Sequence, residues 1–343
     1  MFPPLVRFPL RIRRQRFLPY RRIGSLSAIP PLLLAPLVFT GLTLTLWSYK
    51  CLMMILFQSR IIYMPGIPLG ARKEKISDYA PYCRGIKWRE GKIAVGDGTV
   101  LATASARLDG SGVVRGRELV VVYFQGNASS TPSRLPHLSA LFSSLPPSRG
   151  PTTILIPSYR GYWTSTGRPS QRGIERDLSA IFSHIRTQHG GAETDVVLWG
   201  QSIGCGIALT GLAAHPLQNV SVLILETPFV SIKDMLVALY PQKWLPYRYL
   251  GFALWNRWKL VQALEIVLER GWKGRMLVVE AGKDELVPSG QAARIAEVAK
   301  KAGVHVEEES VKGALHVECL AKPKGRKMVG EFLARFVQGD GGL

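Results

Sequence analysis

The pentapeptide Gly200-Gln201-Ser202-Ile203-Gly204 sets a serine hydroxyl between two glycines. A serine nucleophile on a sharp strand-to-helix turn needs that spacing, because side chains flanking the turn would collide with neighbouring backbone. In a chain with 34 glycines the pentapeptide alone is a weak signal. Acyl transfer by serine also needs a base for the hydroxyl proton, a carboxylate to orient that base, and N–H donors for the developing oxyanion. On such a turn the partners follow in the order Ser, Asp or Glu, His. Three histidines lie downstream: His215, His305 and His316. His215 closes the helix expected after the serine, and His305 opens an alternating strand. His316, in the loop "VKGALHVECL", is the remaining base candidate. Asp284, in "VVEAGKDELVPSGQA", lies where a strand gives way to a loop and is the acid candidate. Taken singly, Asp284 also reads as a turn or capping aspartate, and His316 as a surface histidine.

These residues need a scaffold to bring them together. Residues 195–199 read as a short buried strand, and 203–214 as a helix of small and apolar residues. Upstream, 85–95 and 99–107 predict a hairpin closed by "GDG" at 96–98. Apolar runs at 119–124, 152–157, 221–226 and 276–282, with a last strand at 305–310, alternate with helical patterns. The clearest of these is 173–186, with Ile174, Leu178, Ile181 and Ile185 at helical spacing; 291–301 is another. The alternation predicts an α/β fold: a mostly parallel sheet with helices on both faces. Between 227 and 269 the pattern lapses into "YPQKWLPYRYLGFALWNRW". That aromatic-rich insert, about 228–268, is expected to form a small cap over an apolar pocket, although each aromatic also reads as ordinary packing.

The formal charge of +20 is unevenly spread. No Asp or Glu precedes Glu74, whereas seven arginines fall within residues 7–22, followed by Lys50, Arg60, Arg72 and Lys73. The remainder has no basic stripe interleaved with aromatics and no nucleic-acid module, so nucleic acid is not an expected partner. Cys51, Cys83, Cys205 and Cys319 form no Cys-x-x-Cys pair, and neither a zinc site nor a disulfide framework is expected. Residues 23–49 carry no charge, and "IPPLLLAPLVFTGLTLTLWSY" is long enough to cross a bilayer. The expected organisation is an Arg-rich tail at 1–28, a transmembrane signal anchor at 29–57 and a catalytic domain at 58–343. Arginines ahead of the span predict a cytoplasmic N-terminus, hence a single-pass type II protein of an endomembrane or the plasma membrane. A cleaved signal peptide fits less well, because the apolar run is too long and starts too late. Pro3, Pro4, Pro9 and Pro19 would interrupt the amphipathic helix of a mitochondrial presequence.

The stretches "FQSRIIYMP", "YFQGNAS", "SYRGYWTSTGRPSQRGIERD", "LWGQSIG", "ETPFVSIKDM", "YPQKWLPYRYL", "GKDELVP" and "GALHVE" cover most of residues 57–335. Together they resemble the membrane-anchored α/β-hydrolases, the family that includes the fungal bud-emergence proteins. The resemblance implies an α/β-hydrolase fold with Ser202 as nucleophile, Asp284 as acid and His316 as base. It also implies an oxyanion hole from the backbone N–H groups of Ile203 and of Asn127, in the loop after the 119–124 strand. The activity implied is serine hydrolysis of acyl esters or thioesters, in lipids or palmitoyl-proteins, without cofactor or metal. The alternative is a catalytically silent membrane scaffold on the same fold. Three departures stand out: Gln125 where the family has His, Lys259 where it has Asp, and Leu315 where it has Gly. Gln125 is expected to affect support of its loop more than chemistry. Arg160 and Asp177 are expected to pair and fix the 159–170 loop, and Cys205 and Cys319 to be small buried residues. Of the two glycosylation sequons, Asn127 should be unusable within the oxyanion loop, and Asn219 is expected on the surface.

Overall fold

The apolar runs become strands of one sheet. In the computed structural model, which describes residues 30–110, 117–148 and 150–338, the strands are β1 (Arg89–Ala94), β2 (Val100–Leu108), β3 (Glu118–Phe124), β4 (Thr152–Pro157), β5 (Thr194–Gln201), β6 (Val220–Glu226), β7 (Arg275–Ala281) and β8 (His305–Val311). Their spatial order is β1-β2-β4-β3-β5-β6-β7-β8. β2 pairs antiparallel with both β1 and β4, and every pair from β4 to β8 is parallel. The helices are α1 (Pro31–Leu56), α2 (Gln58–Tyr63), α3 (Ile76–Tyr79), α4 (Leu135–Phe142), α5 (Gln171–His189), α6 (Ile203–Ala214), α7 (Ile232–Leu239), α8 (Leu260–Glu269), α9 (Gln291–Lys301) and α10 (Pro323–Gln338).

Why the central strands lack alternation is visible in β3. Val120, Val122 and Phe124 enter the cluster beneath α5, α6, α8 and α9, whereas Leu119, Val121 and Tyr123 enter the cluster beneath α4 and α10. A strand covered on both faces gains by being apolar at every position. This doubly covered, mostly parallel sheet is the α/β-hydrolase fold. Because β3 and β5 to β8 run parallel, the loops that follow them all leave the same edge of the sheet.

The insert divides in two. α8 buries Leu260, Ala263, Leu264 and Val267 in the same core cluster as β5 and β6. The part from α7 to Trp258 contains a 3₁₀ segment, Pro246–Ala253, and joins the same core cluster at its ends, through Ile232, Met235 and Trp258.

The chain divides into two compact units, Met1–Tyr49 and Lys50–Leu343. α1 begins in the first and is 26 residues long, about 39 Å at 1.5 Å per residue. Leu32–Leu56 is long and apolar enough to cross a membrane. The hydroxyls of Thr43 and Thr45 donate to Phe39 O and Gly41 O at 2.9 and 2.8 Å, which satisfies them within the helix. The Arg-rich tail expected at 1–28 lies outside the described residues.

Candidate active site

β5 ends at Gln201 and α6 begins at Ile203, so Ser202 makes the turn alone. Its φ of 52° and ψ of −117° are unfavourable for a residue with a side chain. The flanking glycines make the turn feasible by close approach. A Cβ at Gly204 would stand 2.0 Å from Phe124 O, and one at Gly200 would stand 2.4 Å from Cys205 Cα. The Ser202 N–H donates to Glu226 O at 2.8 Å, tying the turn to the end of β6.

The loops after β7 and β8 are laced together: Gly282 N donates to Val311 O at 3.0 Å and Lys283 N to Ala314 O at 2.9 Å. They carry Asp284 and His316. His316 Nδ1 lies 2.8 Å from Asp284 Oδ2 and 3.0 Å from Oδ1, and His316 Nε2 lies 2.8 Å from Ser202 Oγ. An ionised carboxylate only accepts, so Nδ1 carries the proton and Nε2 accepts from the serine hydroxyl. Ser202 and His316 are both buried. Burial pushes the Asp284 carboxyl up, but the hydrogen bond from His316 and those from the Val287 and Leu286 N–H groups bring it below its ordinary 3.8. Those two amides donate to Asp284 Oδ1 at 2.8 and 2.9 Å. The carboxylate is therefore held both ionised and oriented. The structure brings Ser202, His316 and Asp284 into one hydrogen-bonded row.

Ile203 is the first residue of α6, where helix N–H groups lack intrahelical acceptors. Asn127 lies in the loop that leaves β3 beside Ser202: a Cβ at Gly126 would touch Gln201 Oε1 at 3.2 Å. That loop is held by the segment after α1. Asn127 Nδ2 donates to Ile62 O at 3.3 Å, Ala128 N to Tyr63 O at 3.0 Å and Ser129 N to Ile67 O at 2.5 Å. Gln125 is buried and supports the same loop, its Oε1 accepting from Thr131 Oγ1 at 3.0 Å and its carbonyl from the Tyr159 hydroxyl at 2.8 Å.

Sequence reasoning missed Glu226, a fully buried carboxyl directly behind the turn. It accepts from Gln201 Nε2 at 2.9 Å and Trp199 Nε1 at 3.2 Å. Burial drives its pKa above the ordinary 4.5, opposed by those bonds and by the charges of Arg134 and His316. Its one sequence signal is an acidic residue ending an otherwise apolar strand.

Arg160 and Asp177 do pair. The guanidinium holds the buried carboxylate through Nε at 2.9 Å and Nη2 at 2.6 Å, with Nη2 also 3.0 Å from Asp97. Cys205 and Cys319 are buried. Asn219, expected on the surface, is half-buried just before β6, and its Nδ2 donates to His189 O at 3.0 Å and Thr194 O at 3.2 Å. A glycan on that nitrogen would compete with both bonds. Among the described residues, no cluster of His, Cys, Asp or Glu is arranged to hold a metal ion.

No family model matches the chain. It is 31% identical over 171 residues to protein bem46 of Schizosaccharomyces pombe, a match covering 50% of this chain and 53% of bem46. It is 26% identical over 244 residues to the α/β-hydrolase domain-containing protein WAV2 of Arabidopsis thaliana, covering 69% of this chain and 73% of WAV2. A shorter match, 33% over 118 residues, links it to the lysophosphatidylserine lipase ABHD12 of Gallus gallus, with 34% of this chain and 29% of ABHD12 covered. Of solved structures, an α/β-hydrolase from Vibrio vulnificus superposes with a TM-score of 0.59 at 19% identity, over 82% of this chain and 92% of that one. The chain thus spans about half the length of bem46 and under a third of ABHD12. It has the α/β-hydrolase fold and is similar over part of its length to bem46, WAV2 and ABHD12.

Proposed function

We propose that the chain is a serine hydrolase for acyl esters with a hydrophobic acyl chain. The observation that carries this reading is the row Asp284–His316–Ser202, with contacts of 2.8 to 3.0 Å between successive partners. Ser202 Oγ attacks the acyl carbonyl as its proton passes to His316 Nε2, and Asp284 stabilises the imidazolium that forms. The N–H groups of Ile203 and Asn127 receive the oxyanion; a donor in that role is worth about 3 kcal/mol of barrier. His316 then protonates the leaving group, and water activated by the same imidazole releases the acid.

The substrate class is a lipid ester. Leu286, Leu315 and Val317, next to the acid and the base, are exposed apolar side chains suited to an acyl chain. The similarity to a lysophosphatidylserine lipase favours a lipid ester over a palmitoyl thioester. The apolar α1 anchors the chain in a bilayer, and the seven arginines ahead of it keep the N-terminus cytoplasmic in a single-pass type II arrangement, with an endomembrane as the location.

The test is fatty-acid release by the full chain in detergent micelles from lysophospholipids, monoacylglycerols and a palmitoyl-thioester peptide. Release from the lipid esters, abolished in Ser202→Ala, is expected. Undiminished release by Ser202→Ala would remove the serine from the mechanism. Release from the thioester alone would shift the substrate class to acylated proteins.

A further inference from the structure

The insert was expected to form a small cap over an apolar pocket, each aromatic also reading as ordinary packing. Four of its aromatics are exposed. In a 3₁₀ segment side chains three apart stand one above another. Along Pro246–Ala253 this sends Tyr247 and Leu250 inward while Tyr249 and Phe252 face out, 58% and 79% exposed. Trp255 continues the outer row at 49%, and Trp244 precedes it at 66%. Four exposed rings within one short segment stand apart from apolar residues exposed singly.

Two observations identify the occupant. The ridge is built onto the C-terminal end of the apolar α1 and the α2 that follows, all within the unit Lys50–Leu343. Lys50 Nζ sits 4.2 Å above the Tyr247 ring and 5.2 Å above that of Tyr240. Gln58 donates to Ala253 O at 3.1 Å and accepts from Trp255 N and Asn256 N at 3.0 and 3.1 Å. The chemistry also fits a surface of lipid phosphates. No Asp or Glu occurs between Asp234 and Glu265, whereas Lys243, Arg257 and Lys259 are exposed there. Trp and Tyr beside cations, next to an apolar span, match the headgroup layer of a bilayer.

We propose that the ridge Trp244, Tyr249, Phe252 and Trp255 docks into the headgroup layer of the bilayer that α1 enters. The insert follows β6 and the Asp284 and His316 loops follow β7 and β8, so ridge and site share one edge of the sheet. Docking therefore brings the apolar rim of the site to the membrane surface, and an acyl chain reaches it without crossing water. The proposal rests on the membrane reading of α1.

The test places an environment-sensitive fluorophore at Phe252→Cys in the full chain carrying Cys51→Ser, which removes the one half-exposed native thiol among the described residues, in vesicles of phosphatidylcholine and phosphatidylserine; Lys327→Cys on α10 in the same background is the control. Fluorophosphonate labelling of both variants checks that the fold is kept. The expected result is co-flotation with the vesicles, with a blue-shifted Phe252 signal that brominated lipid quenches and a water-like, unquenched Lys327 signal. Co-flotation with both signals water-like would overturn docking alone. A blue shift at Phe252 without lipid quenching would place the ridge against protein and also overturn it. Absence of co-flotation would overturn the membrane reading and docking together, leaving hydrolase activity to its own test.

Discussion

Replacing Gly204 with alanine adds one methyl group where none fits. The new Cβ would stand 2.0 Å from Phe124 O and 2.7 Å from Gln125 O, whereas ordinary contact begins at 3.4 Å. To reach ordinary contact, α6 and the end of β3 would have to separate by about 1.4 Å. Both obstacles are backbone atoms, one at the end of the central strand β3 and one in the loop that leaves it, so no rotamer change relieves them. Overpacking of this kind costs about 1–3 kcal/mol, and a backbone clash belongs at the upper end. For a domain of this size each kcal/mol is worth roughly 2–4 °C, giving a melting point about 6–12 °C lower. The strand that must move leads directly to Asn127, and a displacement of about 1 Å costs about 10²-fold in rate. Gly206→Ala is the matched control, because its nearest obstacle is Leu260 Cδ1 at 2.9 Å, the end of a flexible side chain. Thermal melts and the rate of fluorophosphonate labelling should separate the two variants. A Gly204→Ala protein that melts and labels like wild type would refute the close-approach reasoning at the elbow.

Asp284→Asn keeps the shape but presents His316 with the wrong partner for an Nδ1 proton. The ester hydrolysis rate should fall about 10⁴-fold, read as kcat with KM little changed. Asp284 has a folded pKa below 3.8. Its contribution to stability is therefore complete above that value and is lost as pH falls through the folded pKa. Glu226 has the opposite sign. Its folded pKa lies above 4.5, so it favours folding below 4.5 and that contribution is lost as pH rises through the folded pKa. Glu226→Gln should accordingly melt higher than wild type at pH 8 relative to the same comparison at pH 4; an unchanged difference between the two pH values would contradict this. Arg160→Ala leaves Asp177 buried and unpaired, an expected loss of about 3–5 kcal/mol in denaturant unfolding.

The elbow was legible because its requirements are local: apolar strand, glycine, serine, glycine, small-residue helix. The central strands were legible for a related reason, since burial on both faces makes each a continuous apolar run. α4 was not. It has only eight residues, "LPHLSALF", and an apolar run that short has no period that separates helix from strand. α10 escaped because its first turn is basic and polar, and its apolar face appears only against α4 and β8. The support of the oxyanion loop and of the insert was invisible in principle. Gln58 meets Asn256 across 198 residues, and Asn127 meets Ile62 across 65, with no pattern in either neighbourhood. Asn219 is another such case. Its sequon is read from three residues, but the two carbonyls that occupy its amide belong to other segments. The outward ridge of the insert follows from the 3₁₀ repeat of three, a conformation that the run "PYRYLGFA" does not announce.

The central claim is that Ser202 is the nucleophile, and covalent trapping addresses it most directly. The full chain in micelles is treated with a fluorophosphonate, digested and mapped by mass spectrometry, with Ser202→Ala and His316→Ala alongside. The expected result is one adduct on the peptide containing Ser202, none in Ser202→Ala, and labelling slowed by orders of magnitude in His316→Ala. An adduct on another residue, or equal labelling of wild type and Ser202→Ala, would contradict it.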